Sequence, residues 1–153
     1  MPEYISNMRR FIGRERLLTV GCSVVIYDGG QLLLQRRADN GRWMCASGGY
    51  LEMGETPEAA AARELFEETG LTAHSLELLG VFSGEDYFYT YENGDNVAIV
   101  DVAYFCDNFS GEPMPQPGEV AELRWFAIDD LPENMANTSR NSINKAIEFI
   151  ANK

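Results

Sequence analysis

Apolar positions along this chain recur at two different spacings, and the alternation between them outlines the fold. Tyr4, Ile5, Met8, Phe11 and Ile12 recur at helical intervals and Gly13 can end the run, which predicts a helix over about residues 2–13. Leu17 to Tyr27 is a nearly unbroken Val- and Leu-rich stretch, the pattern of a buried strand. Asp28-Gly29-Gly30 is a hairpin turn, and Gln31 to Arg37 alternates as the returning strand. A turn at Asp39-Asn40-Gly41, then Trp43 and the loop Ala46-Ser47-Gly48-Gly49, lead to the clearest helix of the chain, about Pro57 to Thr69. Thr56 is its N-cap, Pro57 sits at N1 where a missing N–H costs nothing, and Gly70 supplies the left-handed stop. Leu76 to Phe82 and Val97 to Cys106 read as further strands, the second interrupted by Asp101. Asn108 to Gly118, with Pro113, Pro115 and Pro117, is a loop or lid, and Ile143, Ala146, Ile147 and Ile150 mark a closing amphipathic helix.

Within the Pro57–Thr69 helix the side chains sort by face. Glu64, Glu67 and Glu68 stand at i, i+3 and i+4 and share one side. Ala59, Ala62, Leu65 and Phe66 are expected on the opposite, core-facing side, leaving the carboxylates pointing away from the core. Such a cluster is either a solvated acidic face, at a cost of only about 0.2–0.5 kcal/mol per like-charge pair, or a site for a hard divalent cation, which prefers oxygen ligands. Arg63 is placed to reach Glu55 or Glu58.

Length and composition set the outer limits. The 153 residues suit one domain, 1–153, with a proper core. A net charge of −12 argues against a nucleic-acid polymer as partner, because phosphate backbones need a basic footprint. A small anionic substrate is compatible with that charge if metal ions supply the local attraction. Cys22, Cys45 and Cys106 form no ligand-spaced pair and suggest buried thiols in a reducing compartment. His74, the only histidine, falls in a linker-like stretch and reads as a solvated loop residue. No apolar run approaches a membrane span, so the expected location is cytoplasmic with no membrane partner.

Gly49, five residues, Glu55, seven residues, then Arg63-Glu64-Leu65-Phe66-Glu67-Glu68-Thr69-Gly70-Leu71 resembles the Nudix box at every defining position, over residues 49–71. A pattern this long arises by chance on the order of 10⁻⁷ per chain or less. Trp43, Gly48-Gly49 and the segment Glu119 to Pro132 also look like the family, so the resemblance spans most of the domain. It implies an α/β/α sandwich with a mixed β-sheet and a metal-dependent hydrolase of nucleoside diphosphates linked to another group. It also implies Mg²⁺, with Mn²⁺ as the alternative. Glu67 and Glu68 would be the core metal ligands, Glu64 a third ligand or the base, Arg63 the partner of Glu55, and Gly49 and Gly70 structural. Glu119 would join the metal site or act as base, with Glu122 in reserve; a solvated strand-edge carboxylate is the plain alternative. Where the family usually has proline this chain has Ser47, which is expected to leave that loop less constrained.

Further candidates for substrate contact come from the residues around the box. Arg36 or Arg37, at the end of a strand, could face a phosphate or simply be surface charge. Tyr87, Tyr89 and Tyr91 alternate, so they are expected on one face, as a cross-strand ladder or as a stacking platform for a nucleobase. Arg9, Arg10, Arg14 and Arg16 give the N-terminal helix a basic outer face, a homodimer contact or a phosphate-facing edge. By analogy within the family, the proline of ADP-ribose enzymes is absent, with Asp86 in its place, whereas Tyr87 and Tyr89 match a tyrosine of dinucleoside-polyphosphate enzymes. The expected substrate is a small nucleotide. It is foremost a nucleoside triphosphate, ordinary or damaged, cleaved to the monophosphate; a dinucleoside polyphosphate, ADP-ribose or a nucleotide sugar is the alternative. A non-catalytic nucleotide sensor is the rival from another class, although sensors commonly lose box glutamates that are all present here.

Overall fold

Each periodicity finds its element in the computed structural model, which describes residues 2–153. The order is α1 (Glu3–Ile12), β1 (Leu17–Asp28), β2 (Gln31–Arg37), β3 (Trp43–Cys45), β4 (Ser47–Tyr50), α2 (Pro57–Thr69), β5 (Thr72–Ala73) and β6 (Glu77–Phe82). A 3₁₀ turn over Glu85–Tyr87 follows, then β7 (Phe88–Thr90), β8 (Asn96–Cys106), β9 (Phe109–Ser110), β10 (Val120–Ala127) and α3 (Asn137–Ala151).

The main sheet runs β10-β2-β1-β8-β6, with β3 on β2, β4 on β1 and β7 on β8. β1 and β8 are parallel from Leu17↔Val97 to Ile26↔Cys106; β1 pairs antiparallel with β2 and β4. The two strands share its other edge: Gly21–Val24 pairs with β4, and Ile26–Asp28 with β2. The sheet therefore divides along β1, and that division makes room for a cleft.

Helices cover both faces, giving the expected α/β/α layers. Beneath α2, Cys22, Val24, Ile26 and Leu33 of the sheet pack with Ala60, Ala61 and Leu65. Beneath α3, Val25, Leu32, Leu34, Trp43 and Phe105 pack with Ile143 and Ala146. A strand covered on both sides is apolar throughout, which is why Cys22 to Ile26 is buried without a break. The first half of β1 is covered on one face only: Leu17 and Thr19 are buried while Leu18 is 68% exposed. All three cysteines are buried free thiols, and burial pushes those of Cys22 and Cys45 up to about 12. His74 is exposed, as expected. No helix among the described residues is long and apolar enough to cross a membrane.

Four sequence expectations are corrected. The core side of α2 consists of Ala60, Ala61, Leu65 and Thr69, whereas Phe66 is 59% exposed. Glu64 and Glu68 lie angularly between these buried positions, so two of the three carboxylates face inward rather than away. In α1 only Ile5 is buried and Phe11 is 84% exposed. Its Arg9 turns inward instead, donating to the carbonyls of Asn96 (2.6 Å), Glu15 (2.7 Å) and Gly13 (3.1 Å). The helix is thus anchored by a guanidinium that satisfies carbonyls as much as by apolar contact. Tyr87 closes the 3₁₀ turn and does not share a strand face with Tyr89 and Tyr91.

Ser47 is the fourth correction: it lies in β4, opposite Val24, rather than in a loose loop. It is fully buried, and its hydroxyl has no hydrogen-bond partner among the described residues. An unsatisfied buried hydroxyl costs about 1–3 kcal/mol. Ser47→Ala is expected to raise the stability of the chain by about 1 kcal/mol, read as a higher urea midpoint at unchanged slope; a lower midpoint would mean the hydroxyl is satisfied in solution.

Candidate active site

The turn before α2 and the first residues of the helix build one rim of the cleft. Thr56 accepts from the N–H of Ala59 (3.2 Å) and Gly70 takes the left-handed conformation (φ 76°), so both helix ends lie where the sequence places them. This fixes the rotation of α2 over β4. Glu64 then comes down onto the backbone of Gly49: a Cβ built at Gly49 would stand 2.4 Å from the Glu64 carboxyl carbon. A side chain at position 49 would force the Glu64 carboxylate out of this seat, so glycine here is what lets Glu64 lie against the strand backbone.

Arg63 ties the rim together. Its guanidinium meets Glu55 with two hydrogen bonds (2.7 and 2.9 Å), Glu64 at 2.7 Å and Glu67 at 3.4 Å, and it donates to the Tyr50 carbonyl at 3.2 Å. The hydrogen bond from Arg63 holds the Glu55 carboxyl below its ordinary range. Glu67 is the open member of the trio, its side chain 47% exposed.

Glu68 is the most enclosed of the three. It accepts from Gln35 Nε2 (2.8 Å) and from the N–H of Gly48 (3.1 Å), while Gln35 also donates to the Ala46 carbonyl (2.9 Å). Burial pushes the Glu68 carboxyl up to about 8 despite these donors, and burial raises Glu64 as well, against the opposing pull of Arg63. Desolvated carboxylates gain from a cation that can share them.

Glu64, Glu67 and Glu68 line part of a cleft of about 670 Å³, within the size range of small-molecule sites. Glu64, Glu67, Glu68, Gly48, Gly49, Arg37, Tyr87, Tyr89 and Glu119 all border it. Arg36 does not: it pairs with Glu122 (3.4 Å), which also holds Arg124 (2.6 Å), so the reserve carboxylate and one of the two phosphate candidates are occupied elsewhere. Arg37 reaches the cleft while gripping Asp39 through two hydrogen bonds (2.6 and 2.8 Å). Glu119, just ahead of β10, is exposed at the rim.

The tyrosines divide by role. Tyr89 and Tyr91 meet edge to face with centroids 4.9 Å apart, and the Tyr91 hydroxyl bonds that of Tyr50. Tyr87 is only 1% exposed, and its hydroxyl donates to the Thr138 carbonyl (3.2 Å). Sequence reasoning missed Gln35, whose signal was a polar residue at the inward end of the run Leu32-Leu33-Leu34. It also missed the start of α3, where Asn137, Thr138 and Ser139 border the cleft far from the box in sequence.

Whether the residues fit a divalent cation can be judged from the donors. Among the described residues no three acidic, thiol or imidazole side chains converge closely enough to hold an ion by themselves. The rim carboxylates are nevertheless hard oxygen donors, and among the described residues Arg63 is the cation that pairs with Glu55, Glu64 and Glu67. One or two carboxylates completed by substrate phosphates is the usual Mg²⁺ arrangement, so the donor set suits a metal that arrives with its substrate.

Comparison with known proteins places this geometry. The NUDIX domain model matches residues 17–146. A MutT-like protein of Streptomyces ambofaciens is 39% identical over 74% of this chain and 66% of its own length. An oxidized purine nucleoside triphosphate hydrolase of Danio rerio is 37% identical over 76% of this chain and 69% of its own. The chain thus spans about two thirds of the length of these relatives. Among solved structures, a MutT NUDIX hydrolase from Burkholderia pseudomallei superposes with a TM-score of 0.73 at 31% identity, covering 85% of this chain and 98% of the other. The matched region contains the glycine strand and glutamate helix that build the cleft rim, and the chain belongs to the Nudix hydrolase family.

Proposed function

We propose that this chain hydrolyses a nucleoside triphosphate, ordinary or oxidised, to the monophosphate and pyrophosphate, with Mg²⁺ as the metal. The family as a whole acts on nucleotide derivatives with divalent metal ions. The observation that carries the reading is that Glu64, Glu67 and Glu68 together line a nucleotide-sized cleft. The oxidised-purine enzyme among its relatives supports the triphosphate; an ADP-ribose pyrophosphatase of Methanocaldococcus jannaschii, 31% identical, keeps the sugar-linked alternative in the substrate panel.

In this reading Glu67 and Glu68 hold the metal, with Glu64 as third ligand or base. Mg²⁺ held there would neutralise phosphate charge and lower the pKa of a water beside it. Water attacks one phosphorus of the α–β pyrophosphate linkage, the bridging P–O bond breaks, and the phosphate group on the far side of that bridge leaves with the bonding electron pair. Such transfer depends mostly on positioning and charge neutralisation. The proton lost by water goes to a rim carboxylate. Glu64 and Glu119 border the cleft, whereas Glu122 lies outside it between two arginines. Gln35 and the Gly48 N–H orient Glu68, and the Arg63–Glu55 pair orients the turn that precedes α2. Tyr89 and Tyr91 offer aromatic surface to the base.

Glu67→Gln and Glu68→Gln are each expected to lower kcat by on the order of 10² or more while leaving the melting temperature near wild type. The measurement is phosphate-product release from a panel of nucleoside triphosphates, dinucleoside polyphosphates, ADP-ribose and nucleotide sugars with Mg²⁺, Mn²⁺ or chelator. Wild-type rates in both variants, or turnover that survives chelation, overturns the assignment. Gly49→Ala pushes Glu64 off its seat, and displacement of a catalytic group by about 1 Å can cost about 10²-fold. Its kcat is expected to fall comparably, and a kcat within twofold of wild type would show that Glu64 need not occupy that seat.

A further inference from the structure

One group in the cleft has no part in the chemistry just described. Asp101, in β8, is 9% exposed and borders the cleft. Its Oδ2 accepts from Ser23 Oγ (2.9 Å) and Ser142 Oγ (3.4 Å). Oδ1 has no hydrogen bond, and no Lys or Arg pairs with the side chain, among the described residues. Two serines, one from β1 and one from α3, thus aim the carboxylate without neutralising it.

The register places this group relative to the metal-binding rim. Asp101 lies beside Gly21 of β1, which faces Tyr50 of β4, next to Gly49. β8 and β4 are therefore two strand spacings apart, about 10 Å, a distance that a nucleoside bridges from phosphate to base. Around Asp101 the cleft is bordered by Tyr87 and by Thr138 and Ser139 of the first turn of α3, a turn that carries no side-chain cap.

We propose that Asp101 selects the nucleobase, its Oδ1 accepting N–H donors from a guanine-type edge. This rests on reading the cleft as a nucleotide site. Guanine and 8-oxoguanine present N1–H and the 2-amino group side by side as donors. Adenine and cytosine present a ring-nitrogen lone pair beside their amino group, and that lone pair would face the carboxylate. The purine O6 next to N1–H is an acceptor, which the N–H groups of Asn137 and Thr138 complement; neither has a hydrogen-bond partner among the described residues, whereas that of Ser139 is taken by the Ala136 carbonyl. Burial pushes the Asp101 carboxyl up to about 6, so at pH 8 it remains an ionised acceptor. The sign of that shift also matters. A raised folded-state value means that Asp101 weakens the fold as pH rises from about 4 through 6, a cost consistent with a functional rather than a stabilising role.

The test compares binding of guanosine, inosine and adenosine monophosphates to wild type and Asp101→Asn by calorimetry at pH 8. The wild type is expected to bind guanosine monophosphate about 10–100-fold more tightly than adenosine monophosphate, the range for a charged hydrogen bond. Inosine monophosphate, which keeps N1–H and lacks the amino group, is expected in between. In Asp101→Asn the guanosine-to-adenosine ratio should fall below threefold, with a melting temperature at pH 8 equal to or above wild type. Equal wild-type affinities, no measurable guanosine monophosphate binding, or an unchanged ratio in a folded variant overturns the assignment. The wild-type ratio needs no variant to fold. Turnover of guanosine and adenosine triphosphates with Mg²⁺, measured separately, reports on the hydrolase reading: guanosine preference in binding without turnover would support Asp101 and sink the hydrolase.

Discussion

Carboxylates held between a helix and a sheet must find donors or counter-charge, and the architecture of this chain is largely an answer to that requirement. Glu64 and Glu68 project from the inward side of α2 toward β4, where water is partly excluded. Glu64 has Arg63; Glu68 has Gln35 and the Gly48 N–H. The contact that permits this is the absence of a side chain on Gly49, since the Glu64 carboxylate occupies the space a Cβ would fill. Glycine before the turn and glutamate on the helix are thus one steric unit, although they are far apart in the sequence.

The same requirement explains the division of the sheet. β1 carries β4 along one part of an edge and β2 along the next. That arrangement brings the Gly48–Gly49 backbone beneath α2 and leaves a cleft between β4, β7 and the start of α3. The run Cys22–Ile26 is buried without a break, with Ser23 its one polar member. The buried polar groups Gln35, Ser23 and Asp101 take their partners from other elements: Gln35 from the Ala46 carbonyl and Glu68, and Asp101 Oδ2 from Ser23 and Ser142. Strain-free packing in the middle and desolvated polar groups at the margins is the expected division between a scaffold and a site.

The anionic character of the chain fits this picture. Of its twelve basic residues, Arg9 anchors α1, Arg63 knits the rim, Arg36 and Arg124 hold Glu122, and Arg37 grips Asp39. These guanidiniums are engaged structurally. Of the basic residues, Arg37 and Arg42 border the cleft, and the carboxylate rim suits a family that uses divalent metals.

How much was legible beforehand differs between local and long-range features. The α2 helix, its Thr56 cap and its Gly70 stop were readable because capping chemistry is local, and β1, β2, β6, β8 and α3 were readable from periodicity. The pairing of Arg63 with Glu55 was readable from the box. The inward rotation of Glu64 and Glu68 was not, because alanine is small enough to be buried or exposed, and only docking on β4 chose Ala60 and Ala61 over Ala59 and Ala62. Arg9 looked like surface charge because one of the carbonyls it satisfies, that of Asn96, lies 87 residues away. Ser47 looked like a loop because the partner that makes it a strand, Val24, precedes it across a hairpin. By itself, then, the sequence determined the candidate glutamates and the helix that presents them, since both follow from short-range spacing. Only the tertiary structure decided which way the carboxylates face, that Arg36 and Glu122 are tied up with each other, and that Asp101 and the start of α3 join the same cleft; these are relations between elements, and burial and register exist only once the sheet has closed.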